Sequence, residues 1–187
     1  IGTNNDSLTG VPAGTYYLLV SDINSCSANQ SIVVDDPPLL TSTCSAIDAT
    51  CFGYNDGSAS VIASGGRGTY SYLWSNNTNS TSNSSLTSGT YTVTVTDGNG
   101  CTSVCVTTVN EPQIVSATIT GSDVNCANDV TTISVVGTGG TAPYTGEGSF
   151  VVGVGTHTYP IVDNIGCSGS ASITINHLDN VPPTILD

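Results

Sequence analysis

The side chains of this 187-residue chain that could carry chemistry are seven cysteines, two histidines and fourteen carboxylates. The cysteines are Cys26, Cys44, Cys51, Cys101, Cys105, Cys126 and Cys167, and no two stand at C-x-x-C spacing. Neither His157 nor His177 has a cysteine at metal-ligand spacing, so the pattern argues against zinc, and no metal or other cofactor is expected. Disulfides formed in an oxidising compartment are the better use of these thiols, and the odd count leaves one to explain. Serine–histidine–aspartate catalysis lacks a base: neither histidine lies in a nucleophile-elbow context. Paired carboxylates of the glycosidase kind would need a cleft that a small sandwich rarely offers. No catalytic residue is expected.

Three further patterns invite a binding reading beside a plain one. Asp22, Asp97 and Asp163 recur at one place in a repeat and could ligate calcium, with Asp35, Asp36, Asp48 and Asp56 converging at a joint. A hard cation needs six or more oxygens, whereas each repeated Asp stands nearly alone before a Gly/Asn turn that its side chain would cap. The polar stretch 75–85 holds sequons at Asn76, Asn79 and Asn83, and Asn5 and Asn29 begin two more. Ser7, in Asp6-Ser7-Leu8, sits in an Asp-Ser/Thr-apolar context that could accept an O-glycan. These are glycan acceptors or simply a solvated surface. Tyr70, Tyr72 and Trp74 share a strand face, as a carbohydrate-stacking platform would; a core strand with its Trp over an inter-sheet disulfide reads the same and is preferred. The row Thr92, Thr94, Thr96 is read as an exposed β face rather than an ice-binding one.

Composition narrows the class. One cation, Arg67, against fourteen acids gives a net charge of −13, which excludes a nucleic-acid partner and disfavours anionic lipid. No apolar run is long enough to span a membrane, so no membrane insertion is expected. Charged residues are only 8% while hydrophobic ones are 37%, so the acidity does not signal disorder. The lack of a starting Met or signal-like start is read as a processed chain or a slice of a longer one.

The chain repeats. GTYYLLVSDINSC, GTYTVTVTDGNGC and GTHTYPIVDNIGC begin at Gly14, Gly89 and Gly155, each with Asp eight residues on and Cys four further. An upstream half recurs too: Cys51, Gly65-Gly66 and Tyr70 match Cys126, Gly139-Gly140 and Tyr144. Pro37-Pro38, Pro112 and Pro182-Pro183 read as joints. The expected division is the C-terminal half of a module (1–38), a whole module (39–112), a divergent one (113–178) and the opening strand of another, or a donor strand (179–187).

Within the whole module the period is two, with Tyr91, Val93, Val95 and Asp97 on one face. Ser58–Ile62, Tyr70–Trp74 and Val104–Val109 also read as strands, separated by Asn55-Asp56-Gly57, Gly65-Gly66 and Gly98-Asn99-Gly100 turns. No helical stripe occurs. About seven short strands in some 75 residues predict an all-β chain of tandem immunoglobulin-like β-sandwich modules. Leu86-x-x-Gly89-x-Tyr91 and Val11-x-x-Gly14-x-Tyr16 resemble the tyrosine corner of such sandwiches; His157 replaces the Tyr in the third copy.

CFGYNDGSASVIASGGRGTYSYLWSN, followed by LTSGTYTVTVTDGNGCT and NEPQ, resembles the SprB-type repeat of large Bacteroidetes surface adhesins. The residues that carry the resemblance are Cys51, Gly53, Asp56, Gly57, Ser58, Gly65, Gly66, Tyr70, Tyr72, Trp74, Gly89, Tyr91, Asp97, Gly100, Cys101 and Pro112. It covers 39–112 and, for the C-terminal half of the repeat, 1–38. Segment 113–178 lacks the Trp, carries Gly146-Glu147-Gly148 in place of the aromatic strand, and is equally similar to the hyaline-repeat module of the same proteins. Asp179–Ile185 resembles the start of another such module. The resemblance implies secretion by the type IX route and display at the cell surface.

The expectation is therefore a non-catalytic section of an extracellular fibre, stalk or surface adhesin, assembling head to tail into a filament. The alternative is a carbohydrate-binding module region of a secreted glycan-active enzyme; a processed fibre subunit is a third reading. Expected partners are other copies or adjacent modules, with surface glycans a further candidate. Within a module the early Cys and the Cys after the Asp turn are expected to pair, Cys51 with Cys101 and Cys126 with Cys167. A second bridge, Cys44–Cys105, would join the first and last strands. Cys26 is left for a partner in the missing half.

Overall fold

The computed structural model describes residues 7–125 and 129–178. Asn5, Cys126 and the expected strand at 179–187 lie outside them. The described residues are all β, as the alternation predicts, and contain no helix.

A two-stranded hairpin comes first, β1 (Gly14–Ser21) with β2 (Ser27–Val34). Six strands then form two three-stranded sheets. β3 (Thr41–Ile47), β4 (Gly57–Ser64) and β6 (Ser82–Leu86) pair in the order β3-β4-β6. β5 (Ser71–Trp74), β7 (Gly89–Thr96) and β8 (Thr102–Val109) pair as β5-β7-β8. Their inner faces meet over Val61, Trp74, Leu86, Val93, Val95 and Val109, all buried, which makes a sandwich. The last five strands repeat the plan with one fewer. β9 (Ser116–Thr120), β10 (Val130–Thr138) and β11 (Gly148–Gly153) form one sheet, and β12 (Gly155–Val162) and β13 (Ser168–Ile175) the other. Ile133, Val135, Ile161 and Ile175 fill that core. The aromatic strand of the preceding sandwich shrinks here to a single bridge, Thr145 to Val162. Phe150 and Tyr159 bring their rings together in this sandwich, centroids 4.7 Å apart.

Period-two alternation explains most strands, but not β6. Ser82–Ser85 belong to the polar stretch 75–85 read as solvated surface, yet Asn83 and, just past the stretch, Leu86 are both buried. Two inward residues three apart break the period, and a bulge makes it possible. The β4 register steps from Gly57↔Leu86 to Ser58↔Ser84, leaving Ser85 unpaired at φ 59°. Asn83 is tolerated inside because its amide exchanges two hydrogen bonds with that of Asn76, at 2.9 and 3.1 Å.

The β1–β2 hairpin has the local structure of β7–β8 without its cover. Leu18 and Val20 stand where Val93 and Val95 stand in the repeat, yet they are 61% and 58% exposed while both valines are 0%. With Leu8, Val11 and Ile32, Leu18 lines an apolar hollow.

Candidate functional site

Polar side-chain networks gather at the two ends of each sandwich, where successive modules join. At the N-terminal end of the 39–112 sandwich, the Gly65-Gly66 turn clasps the incoming chain, and the Gly66 N–H donates to the Pro38 carbonyl at 2.7 Å. Gly65 has φ +78°, and a Cβ there would fall on the Leu39 carbonyl oxygen, so only glycine fits. Asp97 ties this turn to the β7–β8 turn. Its Oδ2 accepts from the Arg67 N–H at 2.8 Å, its Oδ1 from Asn99 at 2.9 Å and Cys101 at 2.8 Å. The other sandwich repeats each bond: Gly140 to the Gln113 carbonyl, then Thr141, Ile165 and Cys167 to Asp163. In the hairpin, Asp22 takes the same two turn bonds from Asn24 and Cys26.

These aspartates are thus consumed as turn caps, with their carboxylates committed to backbone N–H groups. The Arg67 N–H bond is the main reason the Asp97 carboxyl is held below its ordinary value; burial opposes it and the Cys101 and Asn99 N–H groups add to it. Burial pushes the Asp163 carboxyl up, but the Thr141, Cys167 and Ile165 N–H groups outweigh it and hold it low. Among the described residues no three His, Cys, Asp or Glu side chains gather to hold a metal ion.

The C-terminal end is a second network. The Asp48 carboxylate accepts the Asn110 N–H at 2.8 Å, and Asp123 accepts that of Asn176 in the same way. Asp56 takes the Thr50 hydroxyl and N–H, which lower its carboxyl pKa. Glu111 Oε2 accepts the Gly53 N–H at 2.6 Å. Cys51 sits in this loop. Across the joint it is bonded to Cys167, on the Asp163 turn of the next sandwich, with Cα atoms 5.6 Å apart. Both are buried, and Cys51 joins the core cluster of the following module.

This overturns two expected pairings. β7 runs from Gly89, opposite Val109, to Thr96, opposite Thr102, so Cys51 beside Asn110 and Cys101 beside Thr102 lie at opposite ends. Seven steps of extended chain separate those ends by about 23 Å, far beyond the ~7 Å reach of a disulfide. Cys101 is instead a free, exposed thiol, as is Cys26. Cys167 is bonded to Cys51 and so not to Cys126, which lies outside the described residues. The Cys44–Cys105 bridge is present and joins β3 to β8 across the sandwich.

Other sites sort by burial. Trp74 is 1% exposed, its indole N–H donating to the Ser80 carbonyl at 2.8 Å, so it is core and no stacking platform. Asn83 is buried and bonded, which removes it as a glycan acceptor in the folded chain, and the Asn76 amide is engaged with it. Ser7, Asn29 and Asn79 are exposed. The tyrosine corners hold: Tyr16 donates to the Pro12 carbonyl at 2.6 Å and Tyr91 to that of Thr87 at 3.0 Å. In the third copy the His157 ring keeps the bond, Nε2 lying 2.9 Å from the Gly153 carbonyl.

Residues 45–79 match the family model of the SprB repeat. The stretch runs from β3 through Trp74 and holds Cys51, Gly65-Gly66, Tyr70 and Tyr72. That family is a structural repeat of cell-surface proteins rather than an enzyme family, so the region is similar to an adhesin repeat. No curated protein matches the chain.

Proposed function

We propose that this chain is a load-bearing section of an extracellular fibre, stalk or surface adhesin, whose modules join head to tail and carry no catalysis. The observation that carries the reading is the joint: two sandwiches with separate cores, locked end to end by a buried disulfide. A disulfide-locked joint suits an oxidising, extracellular setting and a mechanical task. The repeated carboxylates are spent on turns and the lone Trp on the core, which leaves little for a carbohydrate-binding reading.

The same logic extends to the β1–β2 hairpin. Its bare face is completed by a sheet of the β3-β4-β6 kind, supplied by adjacent chain or by another copy, and such heterologous contacts propagate into a filament. Covering the exposed three-fifths of Leu18 and Val20 is worth about 2–4 kcal/mol. Sedimentation of the 187-residue chain tests this. Concentration-dependent, open-ended association that Leu18→Ser with Val20→Ser abolishes is the expected result. Association unaffected by those changes, or tight binding to glycans at the 39–112 sandwich, would overturn it.

A further inference from the structure

We infer that Cys101 and Cys26 are half-sites of further inter-module disulfides, so that each joint is stapled in the register seen for Cys51–Cys167: early cysteine of one module, Asp-turn cysteine of the next. The inference deepens the joint's mechanical role but does not depend on what the fibre adheres to.

Three observations carry it. First, Cys26, Cys101 and Cys167 occupy one structural position: in each, the cysteine N–H donates to the turn aspartate Oδ1 at 2.8 Å. Second, the only one of these three followed back to a complete preceding module, Cys167, is bonded to that module's Cys51 and buried. Third, the Asp97 turn faces the preceding module as the Asp163 turn does. Asn99 and Arg67 share one hollow with Val33, Val34, Asp35 and Pro37, just as Cys167 and Ser168 share one with Cys51, Phe52 and Tyr54. Cys101, two residues past Asn99 and exposed, therefore lies on the turn that faces the joint at which the module ending in β2 would present its own early cysteine.

The bond forms by thiol–disulfide exchange with a disulfide-bearing oxidant protein. The Cys101 thiolate attacks one sulfur of the oxidant, giving a mixed disulfide and releasing one oxidant thiol. The thiolate of the early cysteine then attacks the Cys101 sulfur and expels the second oxidant thiol. Two protons and two electrons leave the fibre for the oxidant.

A consequence follows for modules like 39–112. Cys101 lies four residues from Cys105, Cys105 is bonded to Cys44, and Cys44 lies seven residues from Cys51. Joint and internal bridges together give a covalent thread that crosses the module in about 11 residues, some 40 Å fully extended. The rest of the module is bypassed by tension. In the 113–178 module, Ile119 and Ala171 take the places of Cys44 and Cys105, by strand register, and the thread is interrupted.

The test is a variant in which residues 39–113 are duplicated in tandem, so that 1–113 is followed by 39–187. Its second copy is marked by Phe52→Tyr and Val104→Ile at exposed positions. The chain is oxidised, alkylated, unfolded, and cut before aspartate without reduction; the Cys44–Cys105 link in the same digest reports folded, oxidised material. Expected are a link from first-copy Cys51 to second-copy Cys101, a link from second-copy Cys51 to Cys167, and alkylated first-copy Cys101 and Cys26. Alkylation of second-copy Cys101, or its link to Cys51 of its own copy, would overturn the inference.

Discussion

Pulling the 187-residue chain by its ends in a single-molecule instrument reads the disulfide topology as length. With both bridges intact, tension runs along 1–51, crosses to Cys167 and leaves along 167–187, so the loop between Cys51 and Cys167 is hidden. The variant Cys167→Ser diverts the load through Cys44–Cys105. The loaded path then gains residues 105–167 and loses residues 44–51, a net of about 55 residues, or about 190 Å at roughly 3.5 Å per residue. Full reduction frees the whole 116-residue separation, a gain of about 400 Å over the oxidised chain. The two increments are distinct because the two loops overlap. With Cys51 bonded to Cys101 and Cys126 to Cys167, as the repeat spacing predicts, the load would already run through Cys44–Cys105. Cys167→Ser would then free only the roughly 41 residues between Cys126 and Cys167, about 140 Å rather than about 190 Å, so a gain of that size would refute the inter-module bridge. So would a Cys167→Ser trace of wild-type length, with wild-type and reduced traces differing. The same bridge closes a ring of about 70 residues when Cys44–Cys105 is intact, worth about 4 kcal/mol in the chain-entropy model.

Three other outcomes are expected. Leu86→Ala opens a cavity beside Trp74 in the 39–112 core and costs about 2–5 kcal/mol, read as an earlier urea midpoint of Trp74 fluorescence; a loss under 1 kcal/mol would contradict the inward placement of the bulged β6. Asp97, Asp163 and Asp56 have carboxyl pKa values below the ordinary 3.8, so the unfolded chain takes up protons first as pH falls; stability is full above about pH 5, declines through pH 4 and below, and Asp97→Asn flattens the decline in thermal melts across that window. Trypsin has only Arg67 to cut, and that residue is tied on both sides, its N–H to Asp97 and its carbonyl to the Gly98 N–H at 2.8 Å, so the native chain resists trypsin for as long as the 39–112 sandwich stays folded. Rapid native cleavage at Arg67 would show that the Asp97 clasp does not form.

Features resting on near neighbours were legible in the amino-acid sequence alone. The alternation of Tyr91, Val93 and Val95 declared β7 and its buried face. The Gly–Tyr spacing declared the corner bond, and the Asp-to-Cys spacing declared a capped turn, because each interaction closes within about four residues of chain. The polar run Ser82–Ser85 hid most of β6, since the inward residues of that strand are set by a bulge against β4 and by an amide pair with Asn76, neither of which leaves an alternating apolar mark. The cysteine pairing was hidden for a different reason. Spacing in sequence says which cysteines belong to one repeat, but a bond needs sulfurs at the same end of the sandwich. That is decided by the direction in which β7 and β8 cross the core, and it sets Cys101 toward the preceding joint and Cys51 toward the following one. Only the folded chain, with one module's C-terminal loop resting on the next module's aspartate turn, could show that the early cysteine serves its neighbour.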